Sequence, residues 1–107
     1  MAIYELRTYS ITVGKMAQVI ELYKNEGFPA LERGRFSSRL VGYFTGDIGG
    51  LNQLIHLWKF DDDADRRDFW TRLFSDPDFM AFASQLRPLV QHQENKLMLN
   101  APWGPKP

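Results

Sequence analysis

Hydrophobic residues recur at two different spacings along the chain, and the shorter spacing marks four stretches. These stretches are residues 3–11, 39–46, 49–60 and 92–100. Apolar and polar side chains alternate most clearly in the first stretch and most weakly in the fourth, and such alternation is typical of β-strands. Glycines at positions 46, 49 and 50 separate the second stretch from the third. They predict a hairpin whose loop is longer than two residues.

A spacing of three and four residues marks the helices. The apolar stripe of the first helix is Met16, Val19, Ile20 and Tyr23. Residues 27–29, Gly-Phe-Pro, are expected to end or kink this helix. A second helix begins in the acidic run 61–68, whose carboxylates can cap its N-terminus and suit its dipole. Asp76 and Pro77 are typical of a cap and a first helical residue, so we expect the second helix to break and restart there.

The predicted order of elements is therefore β-α-β-β-α-β with a broken second helix. This order is typical of a ferredoxin-like α+β fold, in which the helices cover one face of an antiparallel four-stranded sheet. We expect one such domain over residues 1–100 and an irregular, proline-rich tail over residues 101–107. The other face of the sheet has no helix to cover it.

The first and third strands are central neighbours in this fold, so their uncovered sides form one surface. We assign Tyr4 and Leu6 of the first strand to the helix-covered side, because they are the more apolar pair. Glu5, Arg7 and Tyr9 then lie on the uncovered side.

The third strand carries apolar residues at both alternating positions. We assign Ile55 and Leu57 to the helix-covered side, because aliphatic side chains need no polar partners there. His56, Trp58 and Leu54 then lie on the uncovered side, and a shift of one residue would reverse this assignment. A second copy packed sheet to sheet would cover this surface and enclose a cavity, so we expect a homodimer.

Composition limits the classes of function. Hydrophobic residues make up 44% of the chain and charged residues 24%, as in globular proteins. The formal net charge is zero, so no overall field attracts nucleic acid or anionic lipid. The absence of cysteine excludes thiolate chemistry, and the two histidines have no carboxylates at metal-ligand spacing. We expect a cytoplasmic protein with no metal and no cofactor, which binds neither nucleic acid nor membranes.

Several segments of the chain agree, in order, with one protein family. They are "YELRTY", Gly14-Lys15, "LVGYFTGDIGGLNQLIHLW", "DDDADR", "DPDF" and "QENKLM". Together they resemble the NIPSNAP family over nearly the whole chain. The resemblance implies a dimeric α+β barrel, the fold shared with antibiotic-biosynthesis-type monooxygenases, in which two ferredoxin-like sheets face each other around a lumen. It does not supply an established reaction.

The candidate catalytic residues are His56, Arg7 and Glu5. An unperturbed imidazole pKa of about 6.5 would let His56 move a proton, and Arg7 with Glu5 would bind or polarise a carboxylate or carbonyl. The candidate ligand-binding residues are Tyr9, Asn52, Leu54, Trp58 and Tyr43. Each candidate also has a structural explanation, as a hydrogen-bonded histidine, an ion pair or a packed aromatic residue.

Three functions remain open at this point. A lumen that binds a small apolar or aromatic molecule would suit a cofactor-independent oxygenase or isomerase. A solidly packed lumen would instead make the dimer a non-catalytic module for protein interaction or stress response. The same element order occurs in RNA-recognition motifs, but the third strand lacks their basic-glycine-aromatic consensus.

Overall fold

The computed structural model describes residues 1–107. Its strands are β1 (Ile3–Ile11), β2 (Leu40–Thr45), β3 (Gln53–Phe60) and β4 (Val90–Leu99). Its helices are α1 (Met16–Leu22), α2 (Phe28–Arg33), α3 (Asp63–Leu73) and α4 (Pro77–Leu86), with a π-helical turn (Tyr23–Gly27) between α1 and α2. The sheet order is β2-β3-β1-β4, and every pairing is antiparallel. The predicted ferredoxin-like α+β fold is therefore confirmed.

The two predicted aspartate caps are present. The side chain of Asp62 accepts a hydrogen bond from the backbone N–H of Asp65 at 2.7 Å, at the start of α3. Asp76 accepts one from the backbone N–H of Phe79 at 2.9 Å, and Pro77 is the first residue of α4. These caps satisfy N–H groups that have no partner within the helix, which is why the second helix ends and restarts between α3 and α4.

The break in the first helix differs in kind from the prediction. The chain does not leave the helix at residues 27–29; it passes through the π-helical turn and continues as α2. Pro29 lies in the first turn of α2, where the π-helical turn ends and proline is well tolerated. Gly27 is buried there, and a Cβ at this position would lie 2.6 Å from Cζ of Phe82 in α4. A glycine is therefore required for the close approach of this turn to α4.

The side of the sheet that the helices cover is opposite to the predicted one. On β1, Glu5 and Arg7 are buried and contact Trp70 of α3, so they face the helices together with Tyr9. Tyr4 and Leu6 lie on the uncovered side, and the hydroxyl of Tyr4 donates a hydrogen bond to the backbone carbonyl of Pro107. The prediction was wrong because it assumed that the more apolar pair lies under the helices, whereas Tyr4 is buried on the other side, in contact with the C-terminal tail.

The assignment of faces on β3 was wrong in the same way. Burial alternates along the strand, and Leu54, His56, Trp58 and Phe60 are the buried residues. The half-buried Ile55 and Leu57, which alternate with them, lie on the uncovered side. Because the error reverses β1 and β3 together, the polar candidates still share one face of the sheet, but this face lies under the helices.

Two apolar clusters fill the space between sheet and helices. The first consists of Leu31, Phe36, Trp58, Phe60, Phe69 and Leu73. The second consists of Ile11, Val19, Leu54, Phe82 and Leu86. No helix combines the length and the apolar character that crossing a bilayer requires.

Candidate ligand pocket

A cavity of about 310 Å³ lies between the sheet and the pair of helices α3 and α4. Its sheet side includes Arg7, Tyr9, Tyr43, His56 and Trp58 and the first four residues of β4, and its helix side includes Trp70, Phe79 and Ala83. We call this cavity the helix-sheet pocket. Its volume is at the lower end of the range for small-molecule sites, and most of its lining is apolar or aromatic.

His56 is held on the pocket wall by aromatic side chains on several sides. The ring of Tyr43 stacks on it at a centroid distance of 4.9 Å, and the ring of Tyr9 meets it edge-on at 4.8 Å. The indole Nε1 of Trp58 donates a hydrogen bond to its Nδ1 at 2.6 Å. Burial, with a smaller contribution from the charge of Arg7, lowers the pKa of His56 to about 3. The imidazole is therefore neutral at physiological pH.

Arg7 lies directly opposite His56 on the neighbouring strand. Its guanidinium carbon is 4.2 Å from the ring centroid of Trp70, which is a close cation–π contact. Its Nε is 3.6 Å from Oε2 of Glu5, which is beyond hydrogen-bond length. No side chain accepts a hydrogen bond from this guanidinium, and its Nε is buried without a partner.

Glu5 is fixed by the helix that covers it. Its Oε1 accepts hydrogen bonds from Nη1 of Arg66 at 3.0 Å and from the indole Nε1 of Trp70 at 3.1 Å. The residue is 1% exposed and does not line the helix-sheet pocket. These contacts favour the structural explanation of Glu5, as the anchor that joins β1 to α3.

The proposed ligand-binding residues divide into three groups. Tyr9, Tyr43 and Trp58 line the helix-sheet pocket. Leu54 is in the apolar core and also lines a separate open groove, which it shares with Tyr43. Asn52 lines neither space; it precedes β3 in a left-handed conformation with φ 57°, and its carbonyl accepts from the backbone N–H of Ile11. Asn52 therefore lies outside β3, and the structure does not bring it together with His56.

No sequence pattern indicated a functional role for Tyr23, which reaches the pocket from the π-helical turn. Its spacing from Met16 and Val19 was that of an ordinary apolar stripe. Burial raises the pKa of Tyr23 and of its neighbours Tyr9 and Tyr43, so all three phenols are neutral. π-helical turns occur frequently at functional sites, so the turn itself indicates this position. The apolar spacing in the sequence does not reveal the turn.

The chemistry available at the pocket follows from these contacts. The wall offers the guanidinium groups of Arg7 and Arg87, the imidazoles of His56 and His92, and three phenols among apolar rings. No group of three or more His, Asp or Glu side chains is placed to hold a metal ion. The arrangement can enclose a flat apolar molecule and donate hydrogen bonds to its polar end.

Comparison with known proteins agrees with the observed fold. The model of the NIPSNAP family matches residues 4–105. The chain belongs to the NIPSNAP family. It is 29% identical over 102 residues to Protein NipSnap homolog 3A of Pongo abelii, a match that covers 94% of the chain and 40% of that relative. The chain thus spans about two fifths of that relative's length.

Solved structures show the same fold. A NIPSNAP family protein from Agrobacterium tumefaciens is 33% identical to this NIPSNAP chain, covers 98% of both chains and superposes with a TM-score of 0.90. An antibiotic biosynthesis monooxygenase is 15% identical, covers 94% of this chain and 99% of its own, and has a TM-score of 0.64. The second likeness shows a shared fold and carries no reaction to this chain.

Proposed function

We propose that this NIPSNAP chain binds one small, flat, apolar or aromatic molecule in the helix-sheet pocket. The observation that carries the proposal is the cavity of about 310 Å³ walled by aromatic side chains of the sheet, the π-helical turn and α3. The proposed site is therefore within one chain, under the helices, and not in the lumen between two sheets that the sequence suggested.

The contacts of His56 favour binding over proton transfer. A general base needs a free basic nitrogen within reach of the substrate. Nδ1 of His56 already accepts a hydrogen bond from Trp58, and the low pKa of about 3 makes the imidazole a weak base. An isomerase that uses His56 as its base is therefore less well supported than a binding protein.

We also propose that two copies of the chain pack through the uncovered side of the sheet. This side also carries charged residues, Lys59, Glu94 and Lys96, and its apolar residues are Leu6, Ile55, Leu57, Phe44 and Met98. Phe44 is 56% exposed in the single chain, and the other apolar residues are half-buried. An apolar surface without a helix to cover it supports a second copy as its occupant.

A cytoplasmic location stays a prediction from composition.

Nuclear magnetic resonance of the three tryptophan indole N–H groups tests the binding proposal. Trp58 and Trp70 line the pocket, whereas Trp103 is 76% exposed in the tail and serves as an internal reference. We expect methyl 2-naphthoate, an uncharged aromatic probe, to shift the first two signals and leave the third unchanged. The variant Ala83→Leu, which fills the pocket from α4, should abolish the shifts. Shifts that persist in this variant, or no shifts in the unaltered protein, would contradict the proposal.

A further inference from the structure

Two buried nitrogen atoms in the structure have no hydrogen-bond partner. They are Nε2 of His56 and Nε of Arg7. Their residues are direct neighbours across β1 and β3, and both lie on the wall of the helix-sheet pocket. Buried polar atoms in proteins are almost always paired, so two unpaired atoms on directly opposed residues indicate a missing partner.

The tautomer of His56 follows from its contact with Trp58. An indole nitrogen only donates, so Nδ1 of His56 must be the acceptor in the 2.6 Å hydrogen bond. In a neutral imidazole the proton then resides on the other nitrogen, Nε2. The unpartnered atom of His56 is therefore a donor, and its missing partner is an acceptor.

Arg7 requires the same kind of partner. A guanidinium has only donors, and the nearest carboxylate oxygen of Glu5 is too distant to accept from its Nε. Glu5 is also shared with Arg66, so one carboxylate faces two guanidinium groups. The charge of Arg7 is thus only partly compensated inside the protein.

The charged side chains in the lining of the pocket are all positive. The lining contains two arginines, Arg7 and Arg87, and no aspartate or glutamate. Its remaining walls are mainly aromatic and aliphatic. A ligand that complements this surface has an apolar body and an anionic oxygen at one end.

We propose that the helix-sheet pocket binds a small apolar or aromatic carboxylate, whose oxygens accept hydrogen bonds from Nε2 of His56 and from the guanidinium of Arg7. A carboxylate is the planar anion that matches the fork of an arginine, and charge-assisted hydrogen bonds of this kind are among the strongest in proteins. The inference rests on the proposed function and adds the chemical class of the ligand.

The test compares 2-naphthoate with its methyl ester, which has the same rings and no charge. Binding of both probes is followed at pH 7 by the indole N–H signals of Trp58 and Trp70, with Trp103 as reference. We expect the carboxylate to bind at least about tenfold more tightly than the ester, as an ionic hydrogen bond implies. Equal binding of the two probes at these signals would overturn the carboxylate inference and leave the binding proposal intact.

Absence of both probes from the pocket would overturn the binding proposal and the inference together. A preference for the carboxylate that shifts only Trp103 would overturn the inference too, because the anion would then bind outside the pocket. The unaltered protein alone gives these outcomes, so the test stands even where a variant is unstable.

Two substitutions test whether Arg7 and His56 are the donors that cause the preference for the carboxylate over the ester. Arg7→Gln removes the charge, and we expect the carboxylate to lose its advantage over the ester. His56→Phe removes the Nε2 donor and keeps a ring against Tyr43, so the advantage should fall by a smaller factor. A full advantage in folded Arg7→Gln would contradict the assignment to Arg7. Arg67→Gln, at an exposed arginine of α3, is the control for a general loss of positive charge.

Discussion

The indole Nε1 of Trp58 donates a hydrogen bond of 2.6 Å to Nδ1 of His56, two residues earlier on the same strand. Residues i and i+2 of a strand point to the same face, so the contact needs no other element to form. It determines that Nδ1 of the neutral imidazole is the acceptor and that Nε2 is the donor. The chemistry of the site thus depends on a contact that the strand alone creates.

Loss of the indole donor of Trp58 should allow His56 to adopt both of its neutral tautomers. In the unaltered protein, we expect ¹⁵N spectra of the imidazole to show only the form with the proton on Nε2. In Trp58→Phe, Nδ1 has no donor, so both neutral forms should be populated. Trp70→Phe is the matched control, because the indole of Trp70 donates to Glu5 and not to His56. A proton on Nδ1 in the unaltered protein would contradict the assignment.

The stability of the protein should fall on mild acidification because of His56. Its pKa is lowered from 6.5 to about 3 in the folded chain. Between these values the unfolded chain binds a proton that the folded chain does not, so acid favours unfolding. The effect is absent above the unfolded pKa and grows as the pH falls towards 3, with a slope of about 1.4 kcal/mol per pH unit.

The phenols of Tyr9 and Tyr43 contact the imidazole of His56, and burial raises the pKa of both, so they stay neutral throughout this range. Urea unfolding at several pH values between 6.5 and 4.5 measures the slope in the unaltered protein and in His56→Gln. The variant should have the flatter profile, because every other titrating group is common to both proteins. Parallel profiles would show that His56 titrates normally.

The buried carboxylate of Glu5 should stabilise the contact between β1 and α3. Glu5→Gln keeps the shape but removes the charge that pairs with Arg66. Because Glu5 is buried and Arg66 is only partly exposed, we expect a loss of about 1–3 kcal/mol in the free energy of unfolding. The exposed pair of Asp68 and Arg72 provides the control, and Asp68→Asn should cost less than about 0.5 kcal/mol. Similar losses in both variants would refute the anchoring role.

The close approach of the π-helical turn to α4 reverses the usual effect of a glycine substitution. Glycine to alanine within an ordinary helix stabilises by about 0.5–1 kcal/mol. At Gly27 the new Cβ would meet the ring of Phe82 at 2.6 Å, so Gly27→Ala should destabilise by about 1–3 kcal/mol. Phe82→Leu removes the clashing ring, and the penalty of Gly27→Ala should shrink in that background. Additive effects in a double-mutant cycle would exclude the clash as the cause.

The sequence predicted the order of the elements because local chemistry encodes it. Asp62 and Asp76 cap their helices through hydrogen bonds to residues three positions later, and such short-range contacts are visible in the sequence. The placement of Arg7 and His56 on one face of the sheet also followed, since the strand period and the topology suffice for it, whereas their direct opposition is a finding of the structure.

The sequence failed where tertiary contacts reverse a local preference. Glu5 lies under the helices because Arg66 and Trp70, about sixty residues away, satisfy its carboxylate. The aliphatic Ile55 and Leu57 lie on the uncovered side, where nothing in a single chain packs fully against them. Alternation alone does not distinguish a polar site inside from an apolar interface outside, since each strand offers apolar residues on both faces.

The apolar residues on the uncovered side of the sheet predict that two copies of the chain form a dimer. If a second copy covers Leu57, the purified protein should have twice the chain mass of 12.5 kDa in sedimentation equilibrium. Leu57→Lys would place a charge in the centre of this apolar contact. We expect the dissociation constant to rise about a hundredfold or more, since burial of an unpaired charge costs several kcal/mol. Gln18→Lys, on the exposed surface of α1, adds the same charge elsewhere and should leave the mass unchanged. A monomeric unaltered protein would contradict the dimer, and a dimer that tolerates Leu57→Lys would show that the copies pack through another surface.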